Sequence, residues 1–488
     1  MSVVSICGAF TAFQASLLNP PRPQRRQTSV AQPHRSSLPL KRAAAAVLLP
    51  ALGLSLSFAR TRKPPESRPA IRPIVVGYFG QWSLYQHFLV KNLVTSGAAD
   101  QLDQINYAQG FVTNGRCSVA DPHADTDIAF SAQDSVNGQA DNPSTTFHGN
   151  LHQLEELKRL HPRLKLLISL EGRAPDFAAD AQPAAREAFV RSCVDIFLRG
   201  HLAASHNVNP RTPDQPRLFD GIDLDWEYPG GENAANFLAV LTEFRHQMDA
   251  LRPGLRLTVA VGPSPRMYPG VDMAAISQLV DQVGIMNYDY IGPWSHTTGF
   301  LAPLSTEDNR GGSVDRSIVE YKQAGIPASK LLLGLPFYGY GWNAVPTPGA
   351  GLFQPGQGIR GDRPYPYFLS LLTPTATPPR SIAPEPPAAT PPTLKHTAAT
   401  ATPAPDAKPT PAPHPYVLHR DLHSHAPWLY DGSTFWTFED PVSIAYKAAF
   451  AAQQQLGGVM AWELSEDAPD AALIKAARQG LHHPHSAP

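Results

Sequence analysis

Three carboxylates alternate along an apolar stretch near the middle of the chain, "LFDGIDLDWEYPG" from Leu218 to Gly230. Side chains of a β-strand point alternately to its two faces, so Asp223, Asp225 and Glu227 share one face. Successive carboxylates on that face would lie about 6.5–7 Å apart. Crowded, partly buried carboxylates repel one another, so at least one should keep its proton near neutral pH. Glu227, nearest the end of the strand, is therefore the candidate general acid.

A protonated carboxyl group in a cleft is suited to cleaving a glycosidic bond. Most glycosidases use two carboxylates on opposite sides of the sugar, and neighbours on one strand cannot take those positions. Asp225 is therefore poorly placed as a nucleophile. The carbonyl oxygen of a 2-acetamido group on the substrate could attack the anomeric carbon instead. Asp225 would then orient the amide and stabilise the charged intermediate, which predicts an N-acetylhexosamine substrate.

The elements that must position these side chains are eight short runs rich in β-branched and aromatic residues, separated by amphipathic stretches. The runs are "IVVGYF", "QINYAQGFV", "LKLLISL", "FDGIDLDW", "LRLTVAV", "QVGIMNY", "LLLGLPFYG" and "GGVMAWEL". Eight β–α units predict a parallel sheet closed into a (β/α)8 barrel, with the chemistry at the strand ends. A doubly wound sheet is the alternative, but "GYFGQWSLY" after the first run is not a Gly-rich phosphate loop. Barrel strands are covered on both faces, which argues against a solvated acidic surface.

Two Pro-rich regions lie outside this pattern. In residues 1–70, Lys41-Arg42 precede an apolar run that ends at Ala59, which is typical of a secretory signal. We expect a secreted protein with no stable membrane span in its mature form; a periplasmic or membrane-anchored location is the alternative if this segment is not cleaved. Residues 373–415 carry few large apolar side chains, so we expect them to be extended and mobile.

The composition excludes several classes of function. The chain has 488 residues, 42% of them apolar, enough for a large core, and a net charge of −1. This charge gives no electrostatic basis for a nucleic-acid partner. The three cysteines cannot build a disulfide framework. Cys7 lies in the expected leader, and we expect Cys117 and Cys193 to be buried free thiols, with a disulfide as the alternative. We expect a monomer with no cofactor and no metal, and an acidic surface loop at "DPHADTD".

The acidic stretch also carries a resemblance to a known family. "DGIDLDWEYP" matches the D-x-x-D-x-D-x-E signature of glycoside hydrolase family 18 at Asp220, Asp223, Asp225 and Glu227. "VVGYFGQWSLY", "INYAQGFV", "IMNYDYIGPW", "LGLPFYGYGW" and "GGVMAWELSED" resemble the first, second, sixth, seventh and eighth strands of that family, in order. "VKNLVTSGAADQLDQINYA" is similar to bacterial secreted members in particular. The resemblance covers roughly residues 72–372 and 416–480.

The resemblance implies a (β/α)8 barrel and a substrate-assisted, retaining hydrolysis. By position, Glu227 is the proton donor, Asp225 turns to the acetamido group, Asp223 shares its charge, and Tyr288 contacts the acetamido carbonyl. The implied substrate-binding residues are Tyr78, Met286, Asp289, Trp294, Tyr338 and Trp462. The implied supporting residues are Asp220, Ser169 and Gly172.

Three positions depart from the family pattern. The third strand of the family ends S-x-G-G, whereas Glu171 takes the place of the first of these glycines here. Gln109 stands where the second strand usually has Phe, and Tyr340 stands where Arg is common after the seventh strand. These departures bear on substrate positioning and rate rather than on reaction type.

The two Pro-rich regions and the resemblance together predict an order of domains along the chain. Residues 1–70 are leader and N-terminal segment, and residues 71–338 carry barrel strands 1–7. Residues 339–430 form an α+β insertion interrupted by the Pro/Thr/Ala linker at 373–415. Residues 431–482 complete the barrel, and residues 483–488 are a tail.

A chitinase is the function that this family implies, cutting β-1,4-linked N-acetylglucosamine chains within chitin or its oligosaccharides. An endo-β-N-acetylglucosaminidase acting on glycoprotein or cell-wall glycans is a second hypothesis with the same mechanism. A non-catalytic, lectin-like chitin-binding protein is a third, although such proteins typically lack the glutamate that Glu227 supplies.

Overall fold

All eight apolar runs form parallel strands of one closed barrel. The strands in chain order are β1 (Ile74–Gly80), β2 (Gln104–Thr113), β4 (Lys165–Glu171), β5 (Gly221–Asp225), β6 (Arg256–Val261), β7 (Gln282–Ile285), β8 (Leu331–Pro336) and β15 (Gly458–Trp462). Strand β1 pairs in parallel with both β2 and β15, which closes the cylinder. The predicted (β/α)8 barrel is confirmed, and the doubly wound alternative is wrong.

This architecture comes from a computed structural model that describes residues 72–142, 148–171, 174–202, 218–307, 311–372 and 415–483. The expected leader with its apolar run, Gly172 and nearly all of the Pro-rich segment 373–415 lie outside the described residues. In the described part of the chain, none of the helices has the length and hydropathy needed to cross a membrane.

Ten helices lie in the described part of the chain. They are α1 (Val90–Thr95), α2 (Gly149–Leu160), α3 (Ala174–Asp180), α4 (Arg186–Cys193), α5 (Ala234–Leu251), α6 (Met273–Leu279), α7 (Val314–Gln323), α8 (Tyr365–Leu372), α9 (Pro441–Gln453) and α10 (Ala472–His482). Helix α5 shows why they form. Phe237, Val240, Leu241 and Phe244 recur at helical spacing on its buried face, and no Gly or Pro interrupts it before Pro253.

The outer face of β5 is apolar, as its alternating sequence predicts. Ile222, Leu224 and Trp226 are buried in the main core between strands and helices. The Trp226 ring stacks on Phe177 of α3 at a centroid distance of 5.4 Å and meets Phe237 edge-on at 5.8 Å. Because these three side chains anchor the outer face, the carboxylates of the same strand must face the barrel interior.

A second sheet lies in the chain between β8 and α9. Its antiparallel strands follow the order β10-β9-β14-β13-β12, and β11 also pairs with β9. Their bounds are β9 (Tyr338–Asn343), β10 (Gln357–Gly358), β11 (Arg363–Pro364), β12 (Val417–Arg420), β13 (Pro427–Tyr430) and β14 (Phe435–Thr437). Trp342, Trp428, Tyr430 and Phe435 pack into the apolar cluster of this sheet. The domain boundaries proposed from the sequence stay predictions.

A disulfide joins Cys117 and Cys193, so the expectation of free thiols is wrong. Cys117 lies on β3 (Arg116–Val119), which folds back antiparallel to β2, and Cys193 ends α4. Their Cα atoms lie 4.9 Å apart, within the range that a disulfide bridges. The two residues are separated by 76 positions in the sequence, and the contact between β3 and α4 brings them together.

Candidate active site

Asp223 is the innermost carboxylate and is held by three hydroxyl groups. The Tyr78 hydroxyl donates to Oδ2 at 2.7 Å and the Ser169 hydroxyl to the same oxygen at 2.9 Å. The Thr258 hydroxyl donates to Oδ1. Burial raises the pKa of Asp223, while these hydrogen bonds act in the opposite direction. Asp223 is therefore fixed by neutral donors from β1, β4 and β6.

Asp225 is half-buried above Asp223, and its carboxyl group is less satisfied. Its Oδ1 atom has no hydrogen-bond partner in the described part of the chain. Burial raises the pKa of Asp225 well above its ordinary value, and the carboxylates of Glu227, Glu171 and Asp223 raise it further. A proton on Asp225 or on a neighbouring carboxyl group removes part of this repulsion.

Glu227 lies just beyond the end of β5 and is hydrogen-bonded to Asp225 and to Tyr228. Burial raises the pKa of Glu227 to about 7, and the carboxylates of Glu171 and Asp289 contribute in the same direction. The two hydrogen bonds lower that pKa and so limit the rise. Glu227 can thus carry a proton near neutral pH, as a general acid must.

Asp289 faces the same space from the loop after β7. The Tyr338 hydroxyl donates to its Oδ1 at 2.7 Å, and Tyr340 also hydrogen-bonds to it. Burial raises the pKa of Asp289 to about 6, against the effect of the two hydroxyls. Its φ of 58° lies in the left-handed region, which Asp tolerates better than most residues. Tyr340, the departure from Arg, is thus a direct partner of Asp289.

Aromatic side chains form the walls around these carboxyl groups. The Tyr78 and Trp462 rings lie 5.3 Å apart, and Tyr288 meets Tyr338 edge-on at 6.0 Å. Tyr78, Tyr288 and Tyr338 belong to one buried cluster, against which Met286 and Trp462 pack from partly exposed positions. Trp294 meets Tyr340 edge-on at 5.5 Å. The structure therefore brings the six predicted substrate-binding residues to one end of the barrel.

The three supporting residues differ in their positions. Ser169 is within the site through its bond to Asp223. Asp220 precedes β5 and faces away from the site: Lys158 Nζ lies 2.6 Å from its Oδ2, and the Leu166 amide donates to that oxygen at 3.0 Å. It therefore ties the start of β5 to the start of β4. Gly172 lies outside the described residues. The catalytic, binding and supporting roles stay predictions.

Three site residues were missed from the sequence. Thr258 is the one uncharged polar side chain in "LRLTVAV", and that signal could have placed it on the inner face of β6. Trp82, in "GQWSLY", lies 6.1 Å from the Trp462 ring, and its indole N–H donates to Glu463 Oε1 at 2.9 Å. Glu463 is the third. It follows Trp462 at the end of β15, and the resemblance assigned a role only to Trp462.

Two remaining sequence features have a clear structural position. Gln109 lies at an irregularity in the pairing of β2 with β4, and its Oε1 has no partner in the described part of the chain. In the "DPHADTD" loop, Asp125 is buried and accepts a hydrogen bond from the Tyr107 hydroxyl, so this loop is not simply an acidic surface. Across the described ranges, no group of three or more His, Cys, Asp or Glu side chains is arranged to hold a metal ion.

Comparisons with known proteins agree with this geometry. A family model described as glycosyl hydrolases family 18 matches residues 74–467. Chitinase C of Streptomyces lividans is 32% identical over 417 residues, which are 81% of this chain and 57% of that protein. Chitinase 63 of Streptomyces plicatus is 31% identical over 440 residues, 86% of this chain and 62% of that protein. The chain thus spans about three fifths of the length of these relatives.

Solved structures of chitinases are also similar to this chain. The catalytic domain of psychrophilic chitinase B from Arthrobacter TAD20 is 28% identical, with a TM-score of 0.68. The match covers 84% of this chain and 95% of that one.

Proposed function

The chain belongs to glycosyl hydrolases family 18, and from this membership we propose that it is a chitinase that hydrolyses β-1,4 linkages between N-acetylglucosamine units. One observation carries the proposal. Asp225 and Glu227 are hydrogen-bonded neighbours at the end of one barrel strand, and burial raises the pKa of both carboxyl groups, with nearby carboxylates adding to the rise. This pair supplies a protonated donor and an adjacent carboxyl group, but no nucleophile on the opposite side of the sugar.

The first chemical step follows from that arrangement. Glu227 gives its proton to the glycosidic oxygen as the bond to the anomeric carbon breaks. The carbonyl oxygen of the sugar's own acetamido group attacks that carbon from the opposite side and forms a cyclic cation. Asp225 accepts a hydrogen bond from the amide N–H and balances the positive charge. Asp223, fixed by three hydroxyls, lies behind Asp225 and can share its proton.

The second step regenerates the enzyme. The Glu227 carboxylate accepts a proton from water as the water oxygen attacks the anomeric carbon. The carbon–oxygen bond to the acetamido group breaks, and the acetamido group is restored. Two displacements at one carbon retain its configuration, so the product is the β-anomer.

The substrate class is supported by the walls of the site. The faces of aromatic rings can pack against the apolar faces of pyranose rings, and Trp462 and Trp294 are both half-buried rather than sealed in the core. We assign Trp462 to the floor beneath the cleaved sugar and Trp294 to the leaving-group side. Tyr288 and Asp289 then contact the acetamido group and the sugar hydroxyls, with Tyr338 holding Asp289.

We propose that the protein works outside the cytoplasm as a monomer that cuts within chains. The apolar run that follows Lys41-Arg42 supports export. The Cys117–Cys193 disulfide supports an oxidising compartment. Product analysis tests endo action, and light scattering tests the monomeric state.

The test is product analysis on a chitin hexamer with detection of the anomer formed first. We expect acetylated products from internal cuts, with the β-anomer in excess before mutarotation. Inverted configuration would contradict the mechanism, and release of single sugars from one end would contradict endo action. Cleavage confined to glycoprotein or cell-wall glycans would favour the endo-β-N-acetylglucosaminidase hypothesis, whereas binding without any cleavage would favour the lectin-like one. Light scattering during size-exclusion chromatography tests the monomer.

A further inference from the structure

Glu171 occupies the strand position directly beside Asp225. Strands β4 and β5 pair in parallel, with Ser169 opposite Asp223 and Glu171 opposite Asp225. Ser169 donates its hydroxyl to Asp223, which shows that this face of β4 points into the barrel. Glu171 lies two residues further along and therefore shares that face. Glu171 thus adds a carboxyl group from β4 to those of Asp223, Asp225, Glu227 and Asp289.

The Glu171 carboxyl group is half-buried and has no compensating partner among the residues that the structure describes. It makes no hydrogen bond or ion pair with any other residue in the described ranges. Burial alone raises its pKa. No role in the signature of the family requires a carboxylate here, since the matching position is a glycine. A charge placed this way acts on whatever lies next to it.

Its neighbours are the two carboxyl groups that must share a proton. The groups that shift the pKa of Asp225 and Glu227 most are carboxyl and hydroxyl groups. Titratable and hydroxyl groups surround the pair on every element packed against it. The carboxyl groups are Asp223 from β5, Glu171 from β4 and Asp289 after β7. The hydroxyl groups are Tyr78 from β1, Ser169 from β4, Tyr228 after β5, Tyr268 after β6 and Tyr288 after β7.

We propose that Glu171 is a positioning residue for the donor proton: as the strand neighbour of Asp225, it keeps that proton on the Asp225–Glu227 pair at higher pH. A nearby like charge disfavours ionisation of the pair, so loss of the proton shifts to higher pH. The same charge faces the cyclic cation that forms beside Asp225 and stabilises it. The inference rests on the proposed function for its catalytic consequence, but not for its effect on the proton.

Glu171→Gln tests the inference because it removes the charge and keeps the shape. In the full chain labelled with ¹³C at the glutamate carboxyl carbon, Glu227→Gln identifies the Glu227 signal. We expect the titration midpoint of Glu227 to fall by roughly 0.5–1 pH unit in Glu171→Gln. Glu232→Gln, an exposed carboxyl group just beyond the motif, is the matched control and should leave the midpoint unchanged. A midpoint that is unchanged or higher in Glu171→Gln overturns the inference.

A rate measurement separates this role from a merely structural one. With the acetylated chitin hexamer as substrate, kcat should begin to fall at a lower pH in Glu171→Gln than in wild type. The difference should be the same roughly 0.5–1 pH unit that is expected for the titration midpoint. The rate above that pH should then fall roughly 3- to 10-fold, with KM changed less than about twofold. A change in KM with an unchanged pH dependence of kcat would show that Glu171 only shapes the cleft, which contradicts the inference. Glu171→Gly, the family residue, should repeat the shift and serves as the second variant if Gln impairs folding.

The two measurements fail independently. If the wild-type protein does not cleave the hexamer but the midpoint of Glu227 falls in Glu171→Gln, the proposed function is wrong and the effect of Glu171 stands. If the hexamer is cleaved and the midpoint does not move, the inference is wrong and the proposed function stands.

Discussion

Three carboxylates on one strand have three different environments, and these environments divide their tasks. Asp223 receives three hydroxyl donors, Asp225 keeps one oxygen unpartnered within the described ranges, and Glu227 has a pKa of about 7. Because Asp223 already accepts three hydrogen bonds, rotation of its carboxyl group would break them. The middle carboxyl group, with a free oxygen, can turn toward a substrate, and the outer one can release a proton. Their order along the strand, from Asp223 inside the barrel to Glu227 beyond the strand end, therefore matches the order of their tasks.

Removal of the donor should abolish turnover and spare binding. Glu227→Gln keeps the size of the side chain but cannot deliver a proton, so we expect kcat on chitin hexamer to fall by about 10²–10⁴-fold. The dissociation constant for the hexamer, measured by calorimetry, should stay within a fewfold of wild type. Glu232→Gln should retain wild-type kcat. Near-normal hydrolysis by Glu227→Gln would show that another group is the donor.

The raised pKa of Glu227 also predicts how its removal affects stability. Burial favours the protonated form in the folded state, where the pKa is about 7 instead of 4.5. Folding then becomes less favourable as pH rises from about 4.5 to 7, because the folded state holds a proton that the unfolded state has lost. Glu227→Gln has no such proton, so its stability relative to wild type should increase over that window.

We expect the advantage of Glu227→Gln in unfolding free energy to grow by about 1–3 kcal/mol between pH 5 and pH 8. Urea denaturation at the two pH values measures it, with Glu232→Gln as the control. An advantage that shrinks with pH would mean that Glu227 is ionised in the folded state well below pH 7.

The sequence predicted the carboxylates because strand alternation alone places Asp223, Asp225 and Glu227 on one face. The partners that give each carboxylate its environment were harder to predict. Thr258 belongs to a strand 35 residues further along the chain, and the parallel pairing of β5 with β6 places it directly opposite Asp223. Trp82 likewise meets Glu463 across 381 positions. Such pairs depend on which strands become neighbours, which local pattern does not show.

At the scale of elements, the eight apolar runs were enough to predict the barrel strands. The sequence pattern does not predict the six strands of the second sheet individually, because several have only two to four residues. Segments this short carry no clear period, and their pairing is set by the aromatic cluster beneath them. The Cys117–Cys193 bond was misjudged for a similar reason, since the turn between β2 and β3 was not foreseen.

A buried ion pair joins the end of the second sheet to helix α9. Lys447 on α9 contacts Glu439, just after β14, and both side chains are 1% exposed. Burial lowers the pKa of Lys447 and raises that of Glu439, while the attraction between them opposes both shifts. Loss of one member would therefore leave the other charge buried and uncompensated.

We expect Lys447→Met to lower the free energy of unfolding by about 3–5 kcal/mol. Lys447→Met combined with Glu439→Leu should recover most of that loss, since no lone charge remains buried. The exposed pair Arg191–Glu187 on α4 provides the control: Arg191→Met should cost less than about 1 kcal/mol. Chemical denaturation measures the free energy of unfolding of all three variants. Equal losses in the single and the double variant would show that the attraction between Lys447 and Glu439 stabilises the fold by more than the free energy needed to bury the two charges.

At the scale of the molecule, the disulfide restrains the part of the barrel that carries Glu171 and its strand. The bond links residues 76 positions apart, from β3 to α4, and so encloses β4. A cross-link over a loop of this length reduces the freedom of the unfolded chain.

We expect the double variant Cys117→Ala/Cys193→Ala to unfold about 2–4 kcal/mol more easily than the oxidised wild type. A reducing agent should lower the stability of wild type and leave the double variant unaffected. Denaturation with and without reductant makes the comparison. A wild type that does not respond to reductant, although thiol titration shows the bond to be cut, would contradict this expectation.

The final barrel strand gives the molecule an order of assembly. Residues 458–462 form the last of the eight barrel strands to be synthesised. This strand joins β1 to β8. Until this strand emerges from the ribosome, the parallel sheet stays open, with β1 and β8 as unpaired edge strands. The pocket also lacks Trp462, which would line it. The barrel therefore cannot close, and its pocket cannot be completed, before synthesis of the chain is nearly finished.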